Sequence, residues 1–418
     1  MYSLNIDYKS NCSELCLIGQ KYDTDKSSIR YNVTNQRHCH PYTLFYDCLF
    51  KSKKNEKLEI AELGILEGAS LLMWNEYFTN ANLYGFEYDY NLIKNFKDKY
   101  NNNSRIKLSH IDVTDKESIQ ISFKNINMMY DIIIDDTTHQ FEDQIRVIEN
   151  SYQYLKPGGV LIIEDIFKSY NETDYIKRLN PILQHFQDYY FVELDHVNKN
   201  STGWDNDKLF ILIKSGAEPI FKNNNKMTII TPSYRTNNLI TLKNSINFDY
   251  VDEWIIVYDG SKISENPNIF SNENNDKIKE YVFTGEGISG NQQRNYALST
   301  IKNTDTFIYY LDDDNIIHPS LYKLMNIVDK NKMYSFNQED GIKGNTVVRN
   351  HIDTAMILIH YKLCNNIIWN IREYGADGYY IEECYNKNKN KYIYVNNDLC
   401  YYNKLGKTYE QLAKERQR

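Results

Sequence analysis

Two α/β domains in tandem are the architecture that this sequence predicts, and three observations predict it. First, 418 residues exceed what one hydrophobic core comfortably serves, at about 150 residues per domain. Second, apolar runs of strand length alternate with amphipathic stretches in two separate series, the pattern of a parallel sheet covered on both faces. Third, the polar, Asn-rich segment AEPIFKNNNK separates the two series. It puts a domain boundary near Asn223, between domains at 1–222 and 223–418.

Residues up to about Leu58 have mixed character and read as a helical extension. The first series of strands is LEIAEL, NLYGFEYD, IKLSHID, YDIIIDD, GGVLIIED and KLFILIKS. Helices are expected at GASLLMWNEYF and at QFEDQIRVIENSYQYL, where Phe141, Ile145, Ile148, Tyr152 and Leu155 recur at helical spacing. KPGG is expected to break that second helix. The result is a doubly wound sheet. The second series is MTIITPSYR, EWIIVYDGS, DKIKEYVFT and TFIYYLDDDN, a second α/β fold.

A net charge of -8 and the lack of a basic stripe argue against a nucleic-acid partner. Strand-length apolar runs are too short to span a bilayer, and MYSLNIDYKSNC lacks the apolar core of a signal peptide. A cytoplasmic protein without a transmembrane segment is expected. Seven cysteines, none in a C-x-x-C pair, read as free thiols. Cys12, Cys16 and Cys39 with His38 and His40 are a weaker zinc alternative.

In an open parallel sheet, ligands bind at the carboxyl ends of the strands. In the first domain Glu62 and Gly64 follow a strand and Gly68 opens a helix, where glycine lets backbone approach a ligand. Glu87 and Asp89 end the next strand, where an acid can accept ribose hydroxyls, and Asp112 ends the third, within reach of an adenine amine. Asp136, Glu164 and Asp165 end the fourth and fifth strands. Such an oxygen-rich set suits magnesium, which relieves their mutual repulsion. His139, three residues beyond Asp136, is the candidate base for a hydroxyl acidified by the metal.

An acid after each of the first three strands resembles the layout of class I S-adenosylmethionine methyltransferases. More specifically, KYDTDKSS…CHPYTLFYDCLF, LEIAELGILEGASLLMWNEYF, YDIIIDDTTHQFEDQI and LKPGGVLIIEDI resemble the macrocin-type sugar O-methyltransferases, over roughly Tyr22 to Asp165. The resemblance implies a Rossmann-like fold, S-adenosylmethionine as cofactor, Mg2+ on Asp136, Glu164 and Asp165, and His139 as base. Leu66 and Glu67 depart from the usual glycine-rich cofactor loop.

In the second domain Pro232 and Asp259 lie at the ends of the first two strands, where they can line a nucleobase pocket. Asp312, Asp313 and Asp314 follow an apolar strand, and consecutive acids there call for a cation bridging them to a diphosphate. Arg294, near a helix start with Gly287 and Gly290, is the phosphate candidate. Asp377, in a loop between Ala376 and Gly378, is the candidate base, ahead of Glu382 and Glu383. The order ITPSYR, VYDGS, GNQQRNYAL, YLDDDN, ADGYY resembles the GT-A glycosyltransferases with their Asp-x-Asp motif, from Met227 to about Glu383. It implies Asp259 on the base, Asp312 on the donor's ribose or sugar, and Asp314 on Mn2+ or Mg2+, with acceptor contacts from Asp353.

The sequence therefore predicts a bifunctional enzyme that methylates a sugar hydroxyl and transfers a sugar from a nucleotide-sugar donor to a glycan acceptor. A first domain reduced to a glycan- or partner-binding module is the alternative from another class. Nucleotidyl transfer to a sugar phosphate is a further one, which TPSYRTNN matches poorly.

Overall fold

A computed structural model describes residues 3–29, 38–100, 103–201, 203–222, 224–263, 267–370, 372 and 375–406. The chain divides into two compact units, Met1–Asn223 and Asn224–Arg418. Asn223 itself lies outside the described residues.

Among the described residues, the first unit has eight strands. They are β1 (Ser3–Asp7), β2 (Glu59–Leu63), β3 (Asn82–Glu87), β4 (Ile106–His110), β5 (Tyr130–Asp135), β6 (Leu155–Ile163), β7 (Phe186–Asp195) and β8 (Lys208–Lys214). Their order across the sheet is β1-β7-β8-β6-β5-β2-β3-β4. β2 to β6 run parallel, whereas β8 is antiparallel to both neighbours. The sequence predicts a parallel sheet, and the antiparallel β8 departs from it. The chain steps from β2 outward to β3 and β4, then returns to β5 on the other side of β2. The β2/β5 crevice is therefore the switch point at which such sheets bind ligands.

Helices α1 (Glu14–Tyr22), α2 (Tyr42–Phe50), α3 (Ala69–Tyr77), α4 (Tyr90–Tyr100), α5 (Lys116–Ile126), α6 (Phe141–Ser151) and α7 (Glu172–Leu183) complete the unit. The N-terminal extension is not simply helical, because β1 joins the sheet beside β7. β7 itself goes unrecognised in the sequence, since polar residues interrupt its apolar run. Its Phe191 stacks on Phe210 of β8 at 4.2 Å between ring centres, a cross-strand pair that fixes their register. KPGG does not stand as a helix stop: α6 ends at Ser151 and β6 runs through it.

The second unit has β9 (Met227–Ser233), β10 (Val251–Asp259), β11 (Ile278–Phe283), β12 (Phe307–Tyr310), β13 (Met333–Gln338), β14 (Ile357–His360) and β15 (Tyr392–Cys400), ordered β11-β10-β9-β12-β14-β13-β15. β9 to β12 pair in parallel, and β14 is antiparallel to both neighbours. Its helices are α8 (Leu239–Asn244), α9 (Asn291–Thr300), α10 (Leu321–Met325), α11 (Tyr361–Cys364) and α12 (Ala376–Lys387). Among the described residues, no helix is long and apolar enough to cross a membrane.

Candidate active site

A cavity of about 970 Å3 opens at the switch point of the first unit, at the upper end of the range for small-molecule sites. On the β3/β4 side of the crevice its wall includes Ile65, Leu66, Glu87, Tyr88, Asp112 and Val113. On the β5/β6 side lie His38, His40, Asp136, His139, Asp165 and Trp204.

The loop after β2 is built around Gly64. Its φ of +80° is a left-handed conformation, and an added Cβ would sit 2.0 Å from the Asp136 carbonyl oxygen, so only glycine lets the β2 and β5 loops meet. Glu87 accepts hydrogen bonds from the backbone N–H of Leu66 (2.8 Å), Tyr88 (2.9 Å) and Asp89 (3.1 Å), and so ties the loop after β2 to the end of β3. Asp112 accepts from the N–H and hydroxyl of Thr114 at 2.9 and 2.6 Å. Gly64, Glu87 and Asp112, the candidate cofactor-binding residues, line the cavity.

Glu62, Gly68 and Asp89 do not line it. Gly68, at φ +84°, starts α3 with the Phe96 ring 2.2 Å from where a Cβ would be, so its role is packing. Asp89 accepts from the N–H of Asn91 at 2.7 Å, holding the start of α4.

Glu62 belongs to a cluster that the sequence does not announce. The Lys26 ammonium is 2 % exposed and pairs with Asp136 and Glu164, with Glu62 at 3.5 Å. Burial opposes its charge, yet Asp136, Glu164 and Glu62 outweigh burial and hold the Lys26 pKa well above the ordinary value. Burial pushes Glu62 up to about 7, with Lys26 pulling the other way, and burial likewise raises Glu164. Asp136 is held below the ordinary value, because Lys26 and then His139 overcome its burial.

Helix α2 supplies the rest. Tyr42 and Tyr46, four residues apart and so on one helix face, donate their hydroxyl protons to Asp165 and Glu164 respectively. His40 pairs with Asp207 at 2.9 Å and lies 3.8 Å from Asp165. Despite burial, these carboxylates raise its pKa to about 9.

The structure divides the predicted metal set Asp136, Glu164 and Asp165 between two surroundings. Glu164 is 1 % exposed and bound to Lys26 and Tyr46. Asp136, His139 and Asp165 instead offer atoms within 4.8 Å of one another on the cavity wall. Two carboxylates and an imidazole at an open wall fit a divalent cation with positions left for water or a hydroxyl. The Nδ1 of His139 is buried with no hydrogen-bond partner, and its Nε2 lies 3.7 Å from Asp165. Both His139 (φ +59°) and Asp165 (φ +55°) are left-handed non-glycine residues, a costly conformation that concentrates at functional sites. Among the described residues no cysteine–histidine group of three is gathered to support the zinc alternative, and no disulfide is present.

The second unit answers its aspartates differently. Asp313 is 1 % exposed and accepts from Ser233, from the N–H groups of Tyr234 and Arg235, and from the Arg235 guanidinium. Arg235 also pairs with Asp314 at 2.7 Å, and Arg294 with Asp312 at 2.5 Å. The cationic partner that the triplet demands is thus arginine, and no metal-compatible group of three forms there among the described residues. Arg294, expected on phosphates, is 4 % exposed, bonded to the Ser289 carbonyl at 2.7 Å and set over the Trp369 ring. Pro232 is not a terminal turn: β9 continues through it, and it packs against Gly290. Asp259 ends β10 and accepts from Ser261 at 2.6 Å. Asp377 lies in the first turn of α12, not in a loop. Asp353 is raised to about 6 by burial first, then by the charges of Asp312 and Asp377.

Comparison with known proteins decides the class of the first site. Residues 61–163 match a family model described as a methyltransferase domain. This stretch is similar to that domain. The methyltransferase unit is similar to mycinamicin VI 2''-O-methyltransferase of Micromonospora griseorubida, 26% identical over 158 residues, 36% of this chain and 38% of the relative. It is similar to demethylmacrocin O-methyltransferase of Streptomyces fradiae, 27% identical over the same length and shares. The match thus spans about two-fifths of these relatives. Among solved structures, the MycE methyltransferase of the mycinamycin biosynthetic pathway, in complex with Mg and SAH, is 20% identical. That alignment covers 50% of this chain and 58% of MycE, with a TM-score of 0.36.

Proposed function

We propose that the methyltransferase unit transfers a methyl group from S-adenosylmethionine to a sugar hydroxyl with the help of a divalent cation. The observation that carries this reading is the convergence of Asp136, His139 and Asp165 within 4.8 Å on one wall of a cavity that Glu87 and Asp112 also line. Glu87 and Asp112 receive the ribose and adenine of the cofactor. The relatives' names point the same way: two of them carry L-olivosyl and rhamnosyl groups in the molecules they are named for.

A sugar hydroxyl is a poor nucleophile near neutral pH. A divalent cation on Asp136 and Asp165, when bound, lowers the pKa of a hydroxyl placed beside it. His139 takes the hydroxyl proton while the oxygen bonds to the methyl carbon and the carbon–sulfur bond breaks. Asp165, 3.7 Å from its Nε2, orients the imidazole and stabilises its protonated form. The test is transfer of tritiated methyl from the cofactor to a panel of glycosides, with and without EDTA. Transfer that survives EDTA removes the metal. Failure to bind the cofactor at millimolar concentration leaves the unit a binding module.

For the second unit, glycosyl transfer from a nucleotide sugar is the reading that the grouping of Asp312, Asp353 and Asp377 favours. Asp377 would take the acceptor proton. For a metal to bind, Asp314 must exchange Arg235 for the cation. Stabilisation of the separate unit, cut near residue 223, by a nucleotide sugar plus manganese supports it; no shift with any donor argues against it.

A further inference from the structure

We propose that Trp204 is the stacking platform on which the acceptor sugar lies, a specificity-determining residue of the methyltransferase site. This rests on the sugar O-methylation reading and names where the sugar binds. Three of the four tryptophans, Trp74, Trp254 and Trp369, are at most 1 % exposed, whereas Trp204 is 44 % exposed. It lines the cavity with its ring centre 6.2 Å from that of His139, edge to face.

The ring is held in place. His38 meets it at 5.2 Å in a T-shaped contact and Phe167 at 5.6 Å. Its backbone turn is closed by a hydrogen bond from the Trp204 N–H to the Ser201 carbonyl, 3.0 Å. His38 bonds the Ser201 hydroxyl at 3.0 Å, and the Lys168 N–H bonds the Asp205 carbonyl at 2.8 Å. A large aromatic side chain fixed on both sides and left open beside the candidate base offers area at little ordering cost. One face of a pyranose is a patch of C–H groups whose hydroxyls project sideways. Stacked on the indole, such a ring can turn a hydroxyl toward His139 without desolvating its other polar groups. Trp204 lies in the segment between β7 and β8, on the β6 side of the switch point, away from the Glu87 and Asp112 strands, so the platform leaves the cofactor's place free.

The experiment uses the full chain and reads Trp204 directly. With S-adenosylhomocysteine and magnesium present, methyl α-L-rhamnopyranoside and methyl β-D-glucopyranoside are titrated while tryptophan emission is recorded. The expected result is a saturable emission change in the wild type that Trp204→Phe abolishes while binding S-adenosylhomocysteine normally. Trp204→Ala should raise the acceptor KM about 10-fold, the scale of one aromatic contact, with kcat nearly unchanged, and Trp204→Phe should recover part of it. An unchanged sugar response in Trp204→Phe, or a fall in kcat with KM unaltered, overturns the platform. Preference for a planar catechol over both glycosides overturns it as well. If the wild type methylates no sugar, the O-methylation reading fails, but a sugar response lost in Trp204→Phe still upholds the platform.

Discussion

The two units hold acids at the carboxyl ends of their strands, and they neutralise them in opposite ways. In the methyltransferase unit one buried ammonium, Lys26, serves Glu62, Asp136 and Glu164, leaving Asp136, His139 and Asp165 together at an open wall. In the second unit Arg294 takes Asp312 and Arg235 takes Asp313 and Asp314. One lysine shared among three carboxylates leaves Asp136 beside Asp165 at the wall, where a divalent ion can use both. Two guanidinium groups paired with three aspartates leave less room. A run of acids therefore reports charge density, and only its partners report whether a metal has room.

Lys26→Met should have the largest effect. It strands buried carboxylates without a cation, which costs about 3–5 kcal/mol, and thermal unfolding should show it more strongly at pH 8 than at pH 5, where the carboxylates protonate. A loss no greater than that of Arg235→Met would erase the contrast between the units.

Next, His139→Ala should slow methyl transfer about 100-fold, roughly 2.7 kcal/mol of barrier. Manganese titration sharpens the assignment: metal affinity preserved in the variant makes His139 the base, and affinity lost makes it a ligand. Arg235→Met should cost less than Lys26→Met, about 1–3 kcal/mol, because Asp313 keeps the Ser233 hydroxyl and two backbone N–H groups and the Arg235 side chain is 36 % exposed.

The smallest effects are in pH dependence. Glu62, raised to about 7 from an ordinary value of 4.5, binds its proton more tightly in the folded chain. Its ionisation weakens the fold as pH climbs from about 4.5 to 7. Glu62→Gln should therefore gain stability over the wild type at pH 8 and little at pH 5. His40, raised to about 9, stabilises fully below pH 6.5 and loses that contribution as pH rises through 9. Urea midpoints of His40→Gln and wild type should converge above that pH.

Much of the first unit is legible in its residues because the relevant information is local. Apolar runs mark β2 to β6, Glu87 is the last residue of β3, and Asp112, Asp136 and Asp165 stand one or two residues past strand ends. Lys26 is not legible: it lies 110 residues from Asp136 and 138 from Glu164, and nothing in DTDKSS marks a buried ammonium. For the same reason the pairing of Glu164, adjacent to Asp165, with Lys26 is not legible either. The spacing of Tyr42 and Tyr46 is a signal that could have been used, since two hydroxyls on one helix face suit two adjacent carboxylates. In the second unit the sequence points Asp312 to Asp314 at a divalent cation, and the pairing of these acids with Arg235 and Arg294, which come from other elements, is not legible.

The contact between Gly64 and the Asp136 backbone bears on how such an enzyme can change. On the proposed function, the loop after β2 cradles the methyl donor and the loop after β5 holds the acceptor's hydroxyl, and the two meet at Gly64 with no side chain between them. On that reading donor and acceptor keep their spacing whatever happens at the rim of the cavity. New acceptors can be accommodated by exchanging residues around Trp204 and His38, while any substitution at position 64 spreads both halves of the reaction centre at once.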